Sequence, residues 1–465
     1  MLDGIMKPTQ VDFDALRTVE FSRLDEQGMA YLDYAASALY GASQVADYAR
    51  RLDRGVFGNP HSEHAPSRAS GRDLERARAA ALDFFDADPA VYELCFTANT
   101  SAALKLVAES YRFSPGRGLI LSADNHNSVN GMREYARAAA APVHILPLDD
   151  EMRLDSAGER MGQSAMRMGT GLLAFPVQSN FSGVRYDLGL VRTAQDLGFD
   201  VLLDAAAVGA AGGVSLRDHP ADFLAFSFYK LFGLPTGMGA LIAKRTALAK
   251  LRRPWFAGGT VDFVSVEHDR HQLTRGHAGF EDGTPDFLNV GAVVNGFDFL
   301  AEVDRREMAA RLHGLTAYFL ERARSLHHRD GSPLVRLYGP QDMMDRGGTV
   351  AFNLLARTGA AVPFATVERR AHATGVAIRG GCFCNPGAAE AAFGFAHLGV
   401  IACLDRLRND FSVPAFQACL GPEHAVGALR ISVGLPTNIR DLDRALALMA
   451  SFADNDLTPA GVTAP

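Results

Sequence analysis

The chain has 465 residues, 48% of them apolar, which allows a large buried core and, at about 150 residues per domain, two or three domains. Its 53 acidic residues outnumber 46 basic ones, and the formal charge of −7 argues against a general nucleic-acid binder. Met1–Gln10 holds Asp3, Lys7 and Pro8 without an apolar run, so it does not read as a secretory signal; Val201–Leu216 is interrupted by Asp204 and is too short for a membrane span.

Residues 1–30 read as an N-terminal arm. From 31 to 294, short apolar runs alternate with helical segments. Strands are predicted at Glu93–Thr97, Gly118–Ser122, Val143–Pro147, Gly171–Pro176, Asp200–Leu203, Phe223–Ser227 and Gly239–Ile242. Helices are predicted between them at Leu74–Phe85, Ser101–Glu109 and Leu190–Leu197. That alternation gives an α/β fold with a mostly parallel sheet covered by helices. Residues 295–465 read as a linking helix, Asn295–His327, and a smaller α+β domain. Its strands are predicted at Val335–Tyr338, Thr349–Leu354, Ala377–Ile378 and Ala428–Val433, and a capped helix at Asn438–Phe452 closes it.

Two residues after strands stand out, because ligands of open α/β sheets sit at the carboxyl ends of strands. Asp204 ends the run Phe199-Asp200-Val201-Leu202-Leu203. A carboxylate there is costly unless paired, and a protonated pyridine nitrogen suits it as well as a helix N-cap does. Lys230 follows Phe223-Leu224-Ala225-Phe226-Ser227. Only five of the 46 basic residues are lysines: Lys7, Lys105, Lys230, Lys244 and Lys250. Lys230 alone sits in an apolar run, where desolvation lowers an amine's pKa as Schiff-base chemistry requires. The five cysteines (Cys95, Cys382, Cys384, Cys403, Cys419) are an odd, sparse set, which points to reduced thiols in a cytoplasmic protein. Cys382 and Cys384 lie in a glycine-flanked run. Gly380-Gly381 suggests a mobile loop, and Cys-x-Cys alone lacks the ligands of a closed metal site, so no metal is expected. Cys95, Cys403 and Cys419 read as small apolar core residues. His61 and His64 read as part of a loop bordering the site rather than as ligands.

The aspartate–lysine pair resembles that of fold-type I pyridoxal-phosphate (PLP) enzymes. The runs Tyr31-Leu32-Asp33-Tyr34-Ala35-Ala36-Ser37, Phe96-Thr97-Ala98-Asn99-Thr100-Ser101, Asp124-Asn125-His126-Asn127-Ser128-Val129 and Gln178-Ser179-Asn180-Phe181-Ser182-Gly183 resemble class V aminotransferase and cysteine desulfurase motifs. So do Ser227-Phe228-Tyr229-Lys230, Arg379-Gly380-Gly381-Cys382-Phe383-Cys384-Asn385-Pro386-Gly387 and Leu429-Arg430-Ile431-Ser432. The Ser227-Phe228-Tyr229-Lys230, Gly233-Leu234-Pro235-Thr236-Gly237 and Gly381-Cys382-Phe383-Cys384-Asn385-Pro386-Gly387 runs are most similar to the N-terminal desulfurase-like domain of molybdenum cofactor sulfurases.

The resemblance implies PLP on Lys230, with Asp204 at the ring nitrogen, His126 on the ring face and Gln178 at the phenolic oxygen. It puts Thr100, Ser101 and Ser227 at the phosphate. Thr260, in Gly258-Gly259-Thr260, would reach the phosphate from the neighbouring subunit of a homodimer. Arg430, with Asn180 and Arg379, would take the substrate carboxylate, since a guanidinium binds it bidentately. Cys384 falls at the persulfide position, with Cys382 as runner-up. The implied activity is cysteine desulfuration, with L-cysteine as substrate and an acceptor protein or small molecule for the sulfur. A C–S lyase, epimerase or aminotransferase acting on another amino acid is the alternative. Three features depart from the pattern. Ala389 stands where the sulfurases often carry a further cysteine, Tyr229 stands where many desulfurases carry histidine, and the length leaves no room for the sulfurases' C-terminal domain.

Overall fold

The strand-forming runs share a simple chemistry: residues alternate between two apolar environments. Leu94 and Phe96 pack with one set of helices, while Cys95 between them packs with another. A sheet buried on both faces follows. The computed structural model describes residues 11–395, 399–421 and 424–454; the Met1–Gln10 segment read above lies outside them.

In chain order the strands are β1 (Ala30–Tyr31), β2 (Tyr92–Thr97), β3 (Arg117–Ser122), β4 (Val143–Leu146), β5 (Thr170–Pro176), β6 (Phe199–Asp204), β7 (Phe223–Ser227) and β8 (Gly239–Lys244). There follow β9 (Val261–Ser265), β10 (Arg270–Leu273), β11 (Val335–Tyr338), β12 (Thr349–Leu354), β13 (Val376–Ala377), β14 (Arg379–Gly381) and β15 (Ala428–Ser432). The large sheet has the order β2-β8-β7-β6-β5-β3-β4. Its strands β7, β6, β5, β3 and β4 run parallel, and β8 is antiparallel to both neighbours. Helices Ala65–Phe84 and Val290–Ala301 cover one face; Thr100–Ser110 and Met132–Ala138 cover the other.

The smaller sheet, β11-β12-β15-β14, is antiparallel throughout. It packs on helices Arg305–Arg324 and Ile439–Ala450 in a separate apolar cluster. Strand β1 pairs in parallel with β13, and Asp33 bridges to Ser432, so residues 30–33 are hydrogen-bonded to the chain of the smaller sheet. The N-terminal helix Phe13–Glu20 is held by Arg17, whose buried guanidinium bonds Asp25 and Asp441.

Several expectations need correction. The helix expected at Leu74–Phe85 begins nine residues earlier, at Ala65: His64 caps it by accepting from Ser67 N, and Pro66 lies in its first turn, where no N–H is required. The single helix expected at Asn295–His327 is two. The first starts at Val290, and Asp304 interrupts the run by capping the second through Arg306 N and Glu307 N. Of the strand expected at Ala377–Ile378, only Ala377 is in a strand, the end of β13; Ile378 lies between β13 and β14, which serve different sheets. Gly380 belongs to β14: a Cβ there would overlap the Phe364 ring, and its N–H donates to Glu368 Oε1 at 2.6 Å. Cys403 and Cys419 are not reduced core residues but a disulfide joining helices Val400–Leu407 and Val413–Leu420, whose apolar cluster is small. Cys95 is a buried free thiol, and burial pushes its pKa up. Among the described residues, no helix is long and apolar enough to cross a membrane.

Candidate active site

The carboxyl ends of the large sheet's strands open on one cavity of about 290 Å3. Thr100 and Ser101 follow β2, His126 follows β3, Gln178 and Asn180 follow β5, Asp204 closes β6, and Ser227 and Lys230 follow β7; all line it, as does Tyr229. Residues from Thr100 to Lys230, spread over 130 positions of sequence, thus converge because parallel strands end on the same side.

Lys230 reaches the cavity yet is deeply enclosed by protein, and desolvation pushes its pKa down against the pull of Asp204. Lys105, Lys244 and Lys250 are paired with Glu109, Asp222 and Asp200. Lys230 has no such salt bridge among the described residues. Asp204 is buried, and burial pushes its pKa up. Its Oδ1 accepts from Ala206 N at 2.9 Å; its Oδ2 has no protein donor among the described residues.

His126 Nδ1 accepts from Ser128 N at 3.1 Å, so the neutral ring carries its proton on Nε2. Burial holds its pKa below 6.5. Ser128 Oγ also bonds Nδ1 and, at 2.6 Å, Ser101 Oγ. Asn99 caps the helix Thr100–Ser110 by accepting from Ala102 N. Thr100 is bound twice to Ser227 Oγ, from its N–H at 2.9 Å and its hydroxyl at 2.6 Å. A helix N-terminus with two flanking hydroxyl pairs favours an anion. Gln178 Nε2 donates to Ala207 O, and its Oε1 accepts from Arg185 Nε at 3.0 Å. A guanidinium only donates, so Arg185 fixes which way that amide faces.

Four expected residues, Arg430, Arg379, Thr260 and Cys384, do not line the cavity. Arg430 is 3% exposed and is bound to Asp33 Oδ1 (2.9 Å) and Asn180 O (2.9 Å); its Nε has no partner. Arg379 pairs with the same Asp33 at 2.8 Å. Two guanidiniums therefore share one carboxylate, leaving a surplus positive charge. Thr260 is buried in its own turn, where its hydroxyl bonds Ala257 N and O.

The cysteine loop is fastened rather than loose, contrary to the expectation from its glycines. Cys384 O accepts from Asn127 N at 2.7 Å, and Phe383 O accepts from Asn180 Nδ2 at 2.8 Å. Arg430 stacks on the Phe383 ring, 4.6 Å from its centroid. Cys384 is exposed. Cys382 is half-buried, its thiol directed to Val426 O at 3.5 Å, and burial pushes its pKa up. Sequence reasoning gave no role to Asp33, Asp124, Arg185 or Asn385. Asp33, Asp124 and Asn385 lie inside the runs that carried the resemblance, which was the available signal; Arg185 lies outside them.

Residues 30–444 match the family model "Aminotransferase class-V". The chain belongs to the class V aminotransferase family. It is therefore a PLP-dependent enzyme of fold type I. It is 32% identical to the molybdenum cofactor sulfurase of Oryza sativa over 94% of this chain and 57% of that one. Against the sulfurase of Drosophila melanogaster it is 33% identical over 93% and 59%. The chain thus spans less than two thirds of these relatives. An apo cysteine desulfurase of Thermococcus onnurineus superposes with a TM-score of 0.79 at 22% identity, covering 96% of this chain and 99% of that one. An Escherichia coli cysteine desulfurase gives 0.73 at 22%, covering 95% and 98%.

The residues present fit PLP. A buried aspartate with an unpartnered oxygen suits a protonated ring nitrogen, a desolvated amine suits an aldehyde, and the capped helix start with its hydroxyls suits a phosphate.

Proposed function

We propose that the chain is a cysteine desulfurase, converting L-cysteine to alanine and holding the sulfur as a persulfide on Cys384 for an acceptor protein or small molecule. The observation that carries this reading is an exposed thiol, Cys384, in a loop fastened to the rim of the Lys230 cavity: Asn180, which lines the cavity, donates to Phe383 O, and Asn127, next to His126, donates to Cys384 O. Cys382 is the poorer nucleophile, being half-buried, raised in pKa and bonded to Val426 O.

When bound, PLP supplies an electron sink that makes the α-carbon of an amino acid acidic. Asp204 would hold the ring-nitrogen proton, and Gln178, oriented by Arg185, would serve the phenolic oxygen. Ser101 and the Thr100–Ser227 pair would serve the phosphate, and His126, neutral with its proton on Nε2, would serve the ring face. Lys230, kept below its ordinary pKa, takes the α-proton at Nζ. The surplus charge of Arg430 and Arg379 over Asp33 draws the substrate carboxylate, with Asn180 alongside. The Cys384 thiolate attacks the substrate sulfur. An S–S bond forms as the Cβ–S bond breaks, the electron pair stays with the carbon skeleton, and that skeleton takes up a proton and leaves as alanine.

The active unit in this reading is a homodimer. Phe263 and Val266, 62% and 93% exposed, stand out on the β9–β10 hairpin directly after Gly258-Gly259-Thr260, and offer an apolar surface to a second copy. Thr260's segment would then meet the neighbour's phosphate site.

The test is incubation of PLP-loaded protein with L-cysteine. Alanine is expected in step with persulfide, and Cys384→Ala is expected to abolish persulfide formation. Absence of both products from the unaltered protein overturns the reading. Full turnover of another amino acid, indifferent to Cys384→Ala, would replace it with a lyase, epimerase or aminotransferase.

A further inference from the structure

Asp124 is wholly buried and plays no part in the chemistry above. It lies at the end of β3, two residues before His126, and has no cationic partner among the described residues. Its Oδ1 accepts from Ser179 Oγ at 3.0 Å and from Asn385 Nδ2; its Oδ2 accepts from the Tyr186 hydroxyl. A buried carboxyl group costs several kcal/mol unless its oxygens are satisfied, and here three donors converge on it.

Asn385 is the residue after Cys384. Its Nδ2 also donates to Asn180 Oδ1 at 2.9 Å, its Oδ1 caps the helix Pro386–Phe393 at Ala388 N, and its N–H donates to Cys382 O at 2.9 Å. The helix start is pressed on the end of β3, where a Cβ at Gly387 would overlap Ala123 O. Within this frame Phe383 and Cys384 both take left-handed backbone conformations, φ +55° and +56°, which non-glycine residues keep only where their surroundings impose them.

We propose that Asp124 is a positioning residue for the cysteine loop: through Asn385 it holds Phe383 and Cys384 in their left-handed conformation beside the Lys230 cavity, so that attack of the Cys384 thiolate depends on it while amino-acid binding and α-proton removal do not. The second half of this statement rests on the desulfurase reading; the first does not.

Asp124→Asn removes a carboxylate acceptor and sets an amide against the Asn385 amide, while Asn385→Ala cuts the same link from the loop side, together with the bond to Asn180 Oδ1. Two measurements on the PLP-loaded protein decide the case. The first needs no turnover: hydrogen exchange of residues 382–388 and the rate of Cys384 alkylation in the resting enzyme. Both are expected to rise in each variant, with exchange in β3, β6 and β7 unchanged. The second is a split: persulfide formation in a single turnover with L-cysteine is expected to fall by about 10-fold to 100-fold, as for a nucleophile displaced by about 1 Å. Exchange of the L-alanine α-proton with D2O is expected to stay within about twofold, far below the tenfold that 1.4 kcal/mol represents. The double variant is expected to be no worse than the poorer single one, because both cut one link. Unchanged loop exchange and alkylation overturn the proposal, as does a loss of α-proton exchange parallel to the loss of persulfide. If the unaltered protein makes no persulfide at all, the desulfurase reading falls and the loop measurements alone decide the positioning role.

Discussion

Arg430 and Arg379 converge on Asp33, and the arithmetic of charge at that cluster is the main specificity statement at the residue scale. Arg430 is buried, desolvation pushes its pKa down, and its Nε has no partner. A second carboxylate would relieve both conditions. Lysine in its place keeps the charge but cannot span Asp33 and Asn180 O together. Arg430→Lys is therefore expected to raise KM for L-cysteine by about 10-fold to 100-fold, the loss of a charge-assisted bidentate contact, with a smaller effect on kcat. Steady-state alanine formation measures it. His126 gives a pH prediction. Its folded-state pKa lies below 6.5, because burial opposes the charged ring and because Nδ1 already accepts from Ser128 N. The acid limb of the kcat profile due to this residue is therefore expected below 6.5, and His126→Gln is expected to remove that limb. The places of Asp204 and Lys230 at the cavity were legible in the sequence because one closes an apolar strand and the other follows one, while that of His126 came with the resemblance. Asp33 and Asp124 were not assigned roles because their partners are remote: Asp33 meets Arg430 across 397 positions and Asp124 meets Asn385 across 261. Short runs show which residues are polar in an apolar setting, not what they face.

At the scale of elements, strands were readable to within a residue or two wherever an apolar run ended in a turn, as at Phe223–Ser227 and Thr349–Leu354. Errors gathered where a local rule competes with packing. The glycines of Arg379–Gly381 suggested a loose loop; the close approach of helix Phe364–Ala373 makes them a strand. His64 read as part of a loop; it is the cap of a helix that carries Pro66 in its first turn. The disulfide was hidden for a different reason, since an odd cysteine count carries no pairing information. It has a direct test: denatured without reductant, the protein is expected to present three reactive thiols, those of Cys95, Cys382 and Cys384. Because the cluster around Cys403, Phe416 and Val426 is small, the bridge carries much of the local stability. It closes a separation of 16 residues, for which the chain-entropy account gives about 3 kcal/mol. Reduction, or Cys403→Ser with Cys419→Ser, is thus expected to speed hydrogen exchange across the two bridged helices by about 100-fold, at roughly 1.4 kcal/mol per tenfold. The large sheet is expected to be unaffected.

At the scale of the molecule, the cavity is built by the large sheet, the cysteine loop and Arg430 by the chain of the smaller one, and Asp33 and Asn385 tie the two together. The proposed homodimer would add a third contribution, from a second copy. Phe263 and Val266 expose apolar surface beside a glycine segment whose threonine lies away from its own chain's cavity. If the phosphate site is completed by a neighbour, cofactor retention and association are linked, and each must stabilise the other. The assembled protein is expected to have about twice the 49.9 kDa chain mass, as a twofold-symmetric pair. Phe263→Asp with Val266→Asp places charges in that surface without touching the cavity, and is expected to shift the protein to the monomer. In the paired protein, the fraction of PLP retained after gel filtration should fall on dilution through the dissociation range, and the charged variant should retain little at any concentration. Retention that is independent of protein concentration, in a variant shown by sedimentation to be monomeric, would mean that one chain holds the phosphate alone, and would confine residues 258–260 to the turn in which Thr260 bonds Ala257.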